Sequence, residues 1–200
     1  MVKDKVLENM KKIILFIVVI MLCIFGLFKL ADIFLNSKIE NKKEIVHNNW
    51  EKLYVKNREV NLIIKQMNFN QVYLNNDSLN NILIHQENSK ECTLDYVEYE
   101  YYINKAINRI MNDSLISGKS KKKMSQSITE LNSLVSTYNS AVKDYNTFIR
   151  GFPINLYAYK KYNTEEYFDL KYGVVNKNPK TKYDETLEWM SEMEKNKGYE

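Results

Sequence analysis

The stretch Tyr138–Pro153 reads YNSAVKDYNTFIRGFP. Two Tyr-Asn dipeptides stand seven residues apart, at Tyr138-Asn139 and Tyr145-Asn146, and Phe152-Pro153 follows at the next sevenfold step. Seven residues make close to two turns of α-helix, so residues on this ruler share one face. The spacing extends upstream. Met124, Leu131, Tyr138, Tyr145 and Phe152 form one heptad line, and Ile128, Val135, Val142 and Ile149 a second. Leu134, Ala141 and Phe148 widen the stripe, while Asn132, Asn139 and Asn146 edge it. A face this wide suits a helical bundle better than a two-line coiled-coil seam. Gly151 is suited to a left-handed cap and Pro153 prevents continuation, so the spacing predicts a helix from Lys121 to Arg150, about 45 Å long. Packing explains the aromatic line, Phe152 included. The asparagines beside it are placed to hydrogen-bond a neighbouring helix or the tail.

The rest of the 200-residue chain agrees with an all-α fold of long helices, since it holds only five Gly and two Pro. A net charge of +4 is too small to point to nucleic acid. The two cysteines, Cys23 and Cys92, are far apart, and two histidines complete no zinc ligand set. No internal disulfide and no metal is expected.

Residues 13–28, IILFIVVIMLCIFGLF, carry no charge, and KLADIFL extends the apolar run to Leu35. That is roughly the 20 residues needed to cross a bilayer core, with Lys29 able to reach the interface. A cleaved signal peptide would have a shorter run and a small-residue cleavage site, and lipoprotein processing at Cys23 would want a small residue where Leu22 stands. The expectation is an uncleaved single-pass anchor over residues 13–35, behind a basic segment 1–12. Lysines flank the span about equally, so the side of the soluble part is left open.

From Asn36 to about Asn75 the spacing predicts a helix continuous with the anchor, with Val46, Trp50, Leu53, Asn57, Val60, Ile64 and Met67 on its buried face. Asn57 there either sets helix register as a polar residue on a buried face or, the preferred expectation, hydrogen-bonds locally. Asp77 and Ser78 mark a helix start for SLNNILIHQEN. After a soft break at SKECT, a further helix carries Tyr96, Tyr99, Ile103, Ala106 and Ile110 on one face. The tail INLYAYKKYNTEEYFDLKYG is expected to fold back as a short helix. VVNKNPK reads as a loop, and Asp184 as the cap of a last short helix bearing Leu187, Trp189, Met190 and Met193.

YNSAVKDYNTFIRGFPINLYAYKKY resembles the C-terminal signature of the LemA family: paired Tyr-Asn dipeptides, a Phe-Pro, then an apolar stretch with Ala and further aromatics. Tyr138, Asn139, Tyr145, Asn146, Phe152, Pro153, Ala158, Tyr162 and Phe168 fall on it. NPKTKY resembles the family's closing motif, and Trp50 and the stretch from Arg58 resemble its early Trp and Arg-rich segment. Glu59, Asn61 and Ile64 depart from that segment, and residues 69–124 match poorly. The resemblance implies a bacterial, membrane-anchored, antiparallel four-helix bundle over 36–170, followed by a loop and short helix over 171–200. It supplies no activity, because the family has none established.

Candidate chemistry is thin. Glu44 and His47 share a helix face, but a carboxylate-bridged metal site needs a second such pair and more inward carboxylates. Asp95, Glu98 and Glu100 alternate with tyrosines and are expected to face water. Lys119–Lys123 reads as a solvated basic segment. With four passes it lies at the far end of the bundle and Phe152-Pro153 returns towards the anchor; with three the ends swap. The reading is therefore a non-enzymatic scaffold or adaptor without cofactors. Its partners are the lipid bilayer at residues 13–35 and another membrane or envelope protein, with Trp189 and Met190 as candidate contacts. A homo-oligomer is left open. The alternative is a membrane-tethered sensor binding a ligand between helices.

Overall fold

The computed structural model describes residues 2–66, 91–114, 116–158 and 160–197. The helix expected from Ser78, and Met67, lie outside them. Helix α1 (Val2–Gln66) is 65 residues long and unbroken, so the apolar run and the first bundle helix are one rod roughly 100 Å in length. Its N-terminal part is long and apolar enough to cross a membrane: the most apolar window has a mean hydropathy of 2.9 and is not covered by any of the other described residues. From Ile39 onward the helix turns amphipathic. Ile39, Val46, Trp50, Leu53, Val60 and Ile64 are buried at steps of seven, four and three.

Helix α2 (Leu94–Asn112) starts at Thr93, whose hydroxyl accepts the Tyr96 N–H at 3.1 Å. It buries Tyr96, Ile103, Ala106 and Ile110 as expected, whereas Tyr99 is only half-buried. Helix α3 (Gly118–Arg150) starts three residues before Lys121 because the Ser117 hydroxyl caps it, accepting the Ser120 N–H. It packs antiparallel to α1. Lys42 lies 5.3 Å from the Phe148 ring, Trp50 lies 5.4 Å from Tyr138, and Lys56 pairs with Glu130. Rising numbers on one helix thus meet falling numbers on the other. Lys119–Lys123 is therefore at the far end, and Phe152-Pro153 at the near end beside the apolar run. This is the parity expected for four passes.

Four local expectations are corrected. Helix α3 does end at Arg150, but Gly151 has φ −73°, so no left-handed cap forms. Phe152 follows the last helical turn and is 83% exposed, so the core line stops at Tyr145. The tail makes only a five-residue helix, α4 (Ile154–Ala158), and then runs extended from Tyr162. The last helix, α5 (Pro179–Lys197), is 19 residues long and capped by Asn178, not Asp184; the Asn178 amide oxygen accepts the Lys180 N–H at 2.9 Å.

Candidate functional site

The extended strap after Tyr162 is held by the signature residues of α3. Asn146 donates to the Glu165 carbonyl at 2.8 Å and accepts the Glu165 N–H at 2.9 Å. Asn139 does the same to Phe168, at 3.0 and 2.9 Å, and Asn132 to Tyr172, at 3.0 and 2.9 Å. A side-chain amide sets an N–H donor and a carbonyl acceptor side by side, matching the N–H and C=O of one extended residue, so each asparagine presents a short strand edge to the strap. The tyrosines join in. The Tyr145 hydroxyl donates to the Asn163 carbonyl at 3.1 Å and the Tyr138 hydroxyl to the Glu166 carbonyl at 2.8 Å. Each Tyr-Asn pair therefore grips one strap residue and the residue two further on.

The ruler has a metric reason. Seven helical residues advance about 10.5 Å, and three extended residues about 10 Å. Asn146 and Asn139 thus meet positions three apart, Glu165 and Phe168. The next interval takes four residues, to Tyr172, and ends in a sharp turn. Gly173 there has φ +79°, a conformation side chains rarely adopt, and an added Cβ would also stand 3.0 Å from the Ile128 side chain. Past the turn α2 takes over. Asn104 accepts the Gly173 N–H and donates to the Val174 carbonyl, both at 2.8 Å. Within the strap Phe168, Leu170 and Tyr172 are buried and Asp169 and Lys171 exposed, the period-two pattern of an extended chain.

The strap delivers Tyr172 into a buried polar cluster, where two further expectations fail. Asn57 bonds across elements, not locally: its amide nitrogen donates to the Tyr96 hydroxyl at 3.1 Å, and its oxygen lies 2.9 Å from the Tyr172 hydroxyl. Glu100 does not face water. It is 1% exposed, one turn beyond Tyr96, with a carboxyl oxygen 2.7 Å from the Tyr172 hydroxyl. Asp95 and Glu98 instead meet Lys180 of α5, at 2.9 and 2.7 Å. Burial pushes the Glu100 carboxyl up to about 7, partly opposed by the tyrosine hydroxyls, and raises the Tyr96 and Tyr172 phenols as well. One phenol hydrogen cannot serve both acceptors. With Glu100 protonated, its own proton satisfies Tyr172, and Tyr172 donates to Asn57. With Glu100 ionised, Tyr172 turns to the carboxylate and the Asn57 oxygen loses its donor.

Trp50 caps this cluster from α1. Its ring lies 5.0 Å from Tyr96, nearly edge-on, and 6.3 Å from Phe168. Beside it a groove of ≈ 990 Å³ opens between α1, the start of α2, the strap and α5, lined in part by Cys92, Val97 and Tyr138. Burial pushes the Cys92 thiol up to about 12, which keeps it a protonated and poor nucleophile. Arg58 is exposed, its guanidinium 6.0 Å from the Tyr54 ring centre. Glu44 and His47 are both exposed, and His47 pairs with Glu51 at 3.8 Å. Among the described residues no three His, Cys, Asp or Glu side chains gather as a metal site. Trp189 and Met190 on α5 are 58% and 50% exposed, so neither docks fully on the bundle.

The signature positions thus divide. Trp50, Tyr138, Asn139, Tyr145 and Asn146 converge on the strap and the core, whereas Arg58, Phe152 and Pro153 stand outside them. Sequence reasoning missed Asn104, Glu100 and Tyr172. The alternation from Phe168 to Tyr172 was the available signal for the strap; no local pattern marked Glu100 as inward. The chain matches no protein-family model, no curated protein and no solved structure.

Proposed function

We propose that this chain is a non-enzymatic, single-pass membrane scaffold of LemA-like type, whose bundle holds another membrane or envelope protein close to the bilayer. One observation carries the reading. The apolar run and the bundle helix are a single unbroken α1, so whatever binds the bundle is held at a set distance from the span. The absence of enzymatic activity is part of the proposal. It is supported by the enclosure of Glu100, which leaves substrate no approach, and by the protonated state of Cys92. The exposed face of α5, with Leu187, Trp189 and Met190, supplies a contact surface rich in residues that anchor interfaces.

A photo-crosslinking residue at position 189 in the full chain, expressed in cells, tests the reading. The expected result is a defined adduct with one membrane or envelope protein, absent from a control position such as Lys143. Adducts that are the same from both positions would remove the scaffold reading. The groove beside Trp50 favours a second reading, a tethered sensor that takes a ligand between helices. A compound that raises the melting temperature of the wild type, and fails to do so after Thr186→Trp places a bulky ring in the groove from the exposed side of α5, would select it.

A further inference from the structure

The near end of the bundle has an apolar corner that none of the described helices covers. Phe152 is 83% exposed and Leu156 76% exposed; among described residues outside α1, only Val175, on the turn beside Asn104, is a more exposed large apolar side chain. Their height along α1 follows from the packing. Phe148 lies level with Lys42. Phe152 is one helical turn further, about 6 Å, which puts it level with about residue 38. The connection that follows Phe152 ends level with Asn36, whose side-chain oxygen accepts from both Lys161 and Tyr162. The apolar run closes near Leu35. A corner level with residues 36–38 therefore stands roughly 2–5 Å beyond the run, a depth that falls in the headgroup zone of a bilayer.

Charge at this end has the matching sign. Lys38, Arg150, Lys160 and Lys161 are exposed around the corner, against the acids Asp32 and Glu40. Two bare apolar side chains inside a basic rim, held at headgroup height by a helix of the same chain, are complementary to a lipid surface. A protein partner would have to share that height with the headgroups.

We propose that Phe152 and Leu156 insert into the headgroup region of the bilayer that α1 crosses, with the basic rim favouring anionic lipid, so that the bundle is fastened at two points and not one. This rests on the reading of α1 as a membrane span. Two attachments stop the bundle from swinging about a single helix and set which of its faces looks sideways along the membrane. The basic segment Lys119–Lys123, at the far end, takes no part.

The test uses the full chain in vesicles of neutral lipid with and without anionic lipid, containing nitroxide-labelled lipid. An environment-sensitive fluorophore is placed on Phe152→Cys or Leu156→Cys, in a background where Cys23 and Cys92 are serine. A label on native Cys23 reports the span, and one on Lys122→Cys the far end. The expected result is quenching at 152, 156 and 23, none at 122, and stronger quenching at 152 and 156 with anionic lipid. Quenching at 23 alone overturns the corner and leaves the span standing. Absence of quenching at 23 overturns the span and the corner together. Equal quenching at 122 and 152 means the bundle lies flat, which also overturns the proposal.

Discussion

Asn139 and Phe168 hold each other by two hydrogen bonds, the Phe168 N–H donating to the asparagine oxygen at 2.9 Å and the asparagine nitrogen donating to the Phe168 carbonyl at 3.0 Å. The contact joins residues 29 apart and recurs one heptad away on either side, at Asn132 and Asn146. Helix α3 thus presents a row of side chains shaped like a strand edge, and the strap reads that edge.

Asn139→Ala removes both bonds and leaves a half-buried strap amide unpaired, at a cost of about 2 kcal/mol. In a chain of this size the melting temperature should fall by about 4–8 °C. Asn139→Asp should cost at least as much near neutral pH, because its second oxygen faces the Phe168 carbonyl. A thermal melt of each variant checks this. An unchanged melting temperature would assign Asn139 to a partner contact.

Glu100 makes stability depend on pH with a definite sign. Its carboxyl ionises at about 7 in the folded chain against an ordinary 4.5. Between those values the unfolded chain ionises first and binds fewer protons, so stability falls as pH rises through the window and levels off above it. The loss is about 3 kcal/mol. Glu100→Gln stays neutral throughout. Because about 1 kcal/mol of the wild-type loss has already occurred at pH 5, urea melts at pH 5 and pH 7.5 should show the variant gaining about 2 kcal/mol on the wild type at the higher pH. An equal pH slope in both proteins would refute the buried assignment.

Trp50 and Trp189 are the only tryptophans, and they are 4% and 58% exposed. Trp189→Phe should leave blue-shifted emission that iodide barely quenches, and Trp50→Phe red-shifted emission that it quenches readily. Trp50→Ala should cost about 3–5 kcal/mol, since it empties the junction of α1, α2, α3 and the strap.

Truncation separates the strap from α5. Ending the chain after Asn178 removes the ion pairs made by Lys180, Lys182 and Glu185, all exposed except at Glu98, and should cost about 1 kcal/mol. Ending it after Tyr162 removes Phe168, Leu170 and Tyr172 from the core and strips the asparagine row of its partners. The cooperative melt should then be lost. Near-equal melting temperatures for the two truncations would contradict the account of the strap.

The helices were legible because their apolar residues repeat at helical spacing over long stretches. Ile39, Val46, Leu53 and Val60 mark α1 without help from any other segment. The strap was harder because its conformation is imposed from outside: Glu165 and Phe168 are extended because Asn146 and Asn139 bond them, and those partners lie 19 and 29 residues upstream. Only the short alternation at Phe168, Leu170 and Tyr172 betrays it locally. Glu100 was misread for the same reason. A carboxylate between tyrosines looks solvated until Tyr172, 72 residues away, is seen to cover it. Phe152 kept the heptad spacing but not the helix, which stops two residues earlier, and it was released to the surface.

Hydrogen exchange of individual backbone amides in the full chain, read by NMR in a membrane mimetic, tests the asparagine-held strap most directly. The amides of Glu165, Phe168, Tyr172 and Gly173 should exchange slowly, as each donates to an asparagine side chain, while those of Tyr167 and Asp169 exchange fast. In Asn139→Ala the Phe168 amide should lose its protection before the others. Uniformly fast exchange from Asn163 to Val174, or protection of every amide in that stretch as in a helix, would contradict the account.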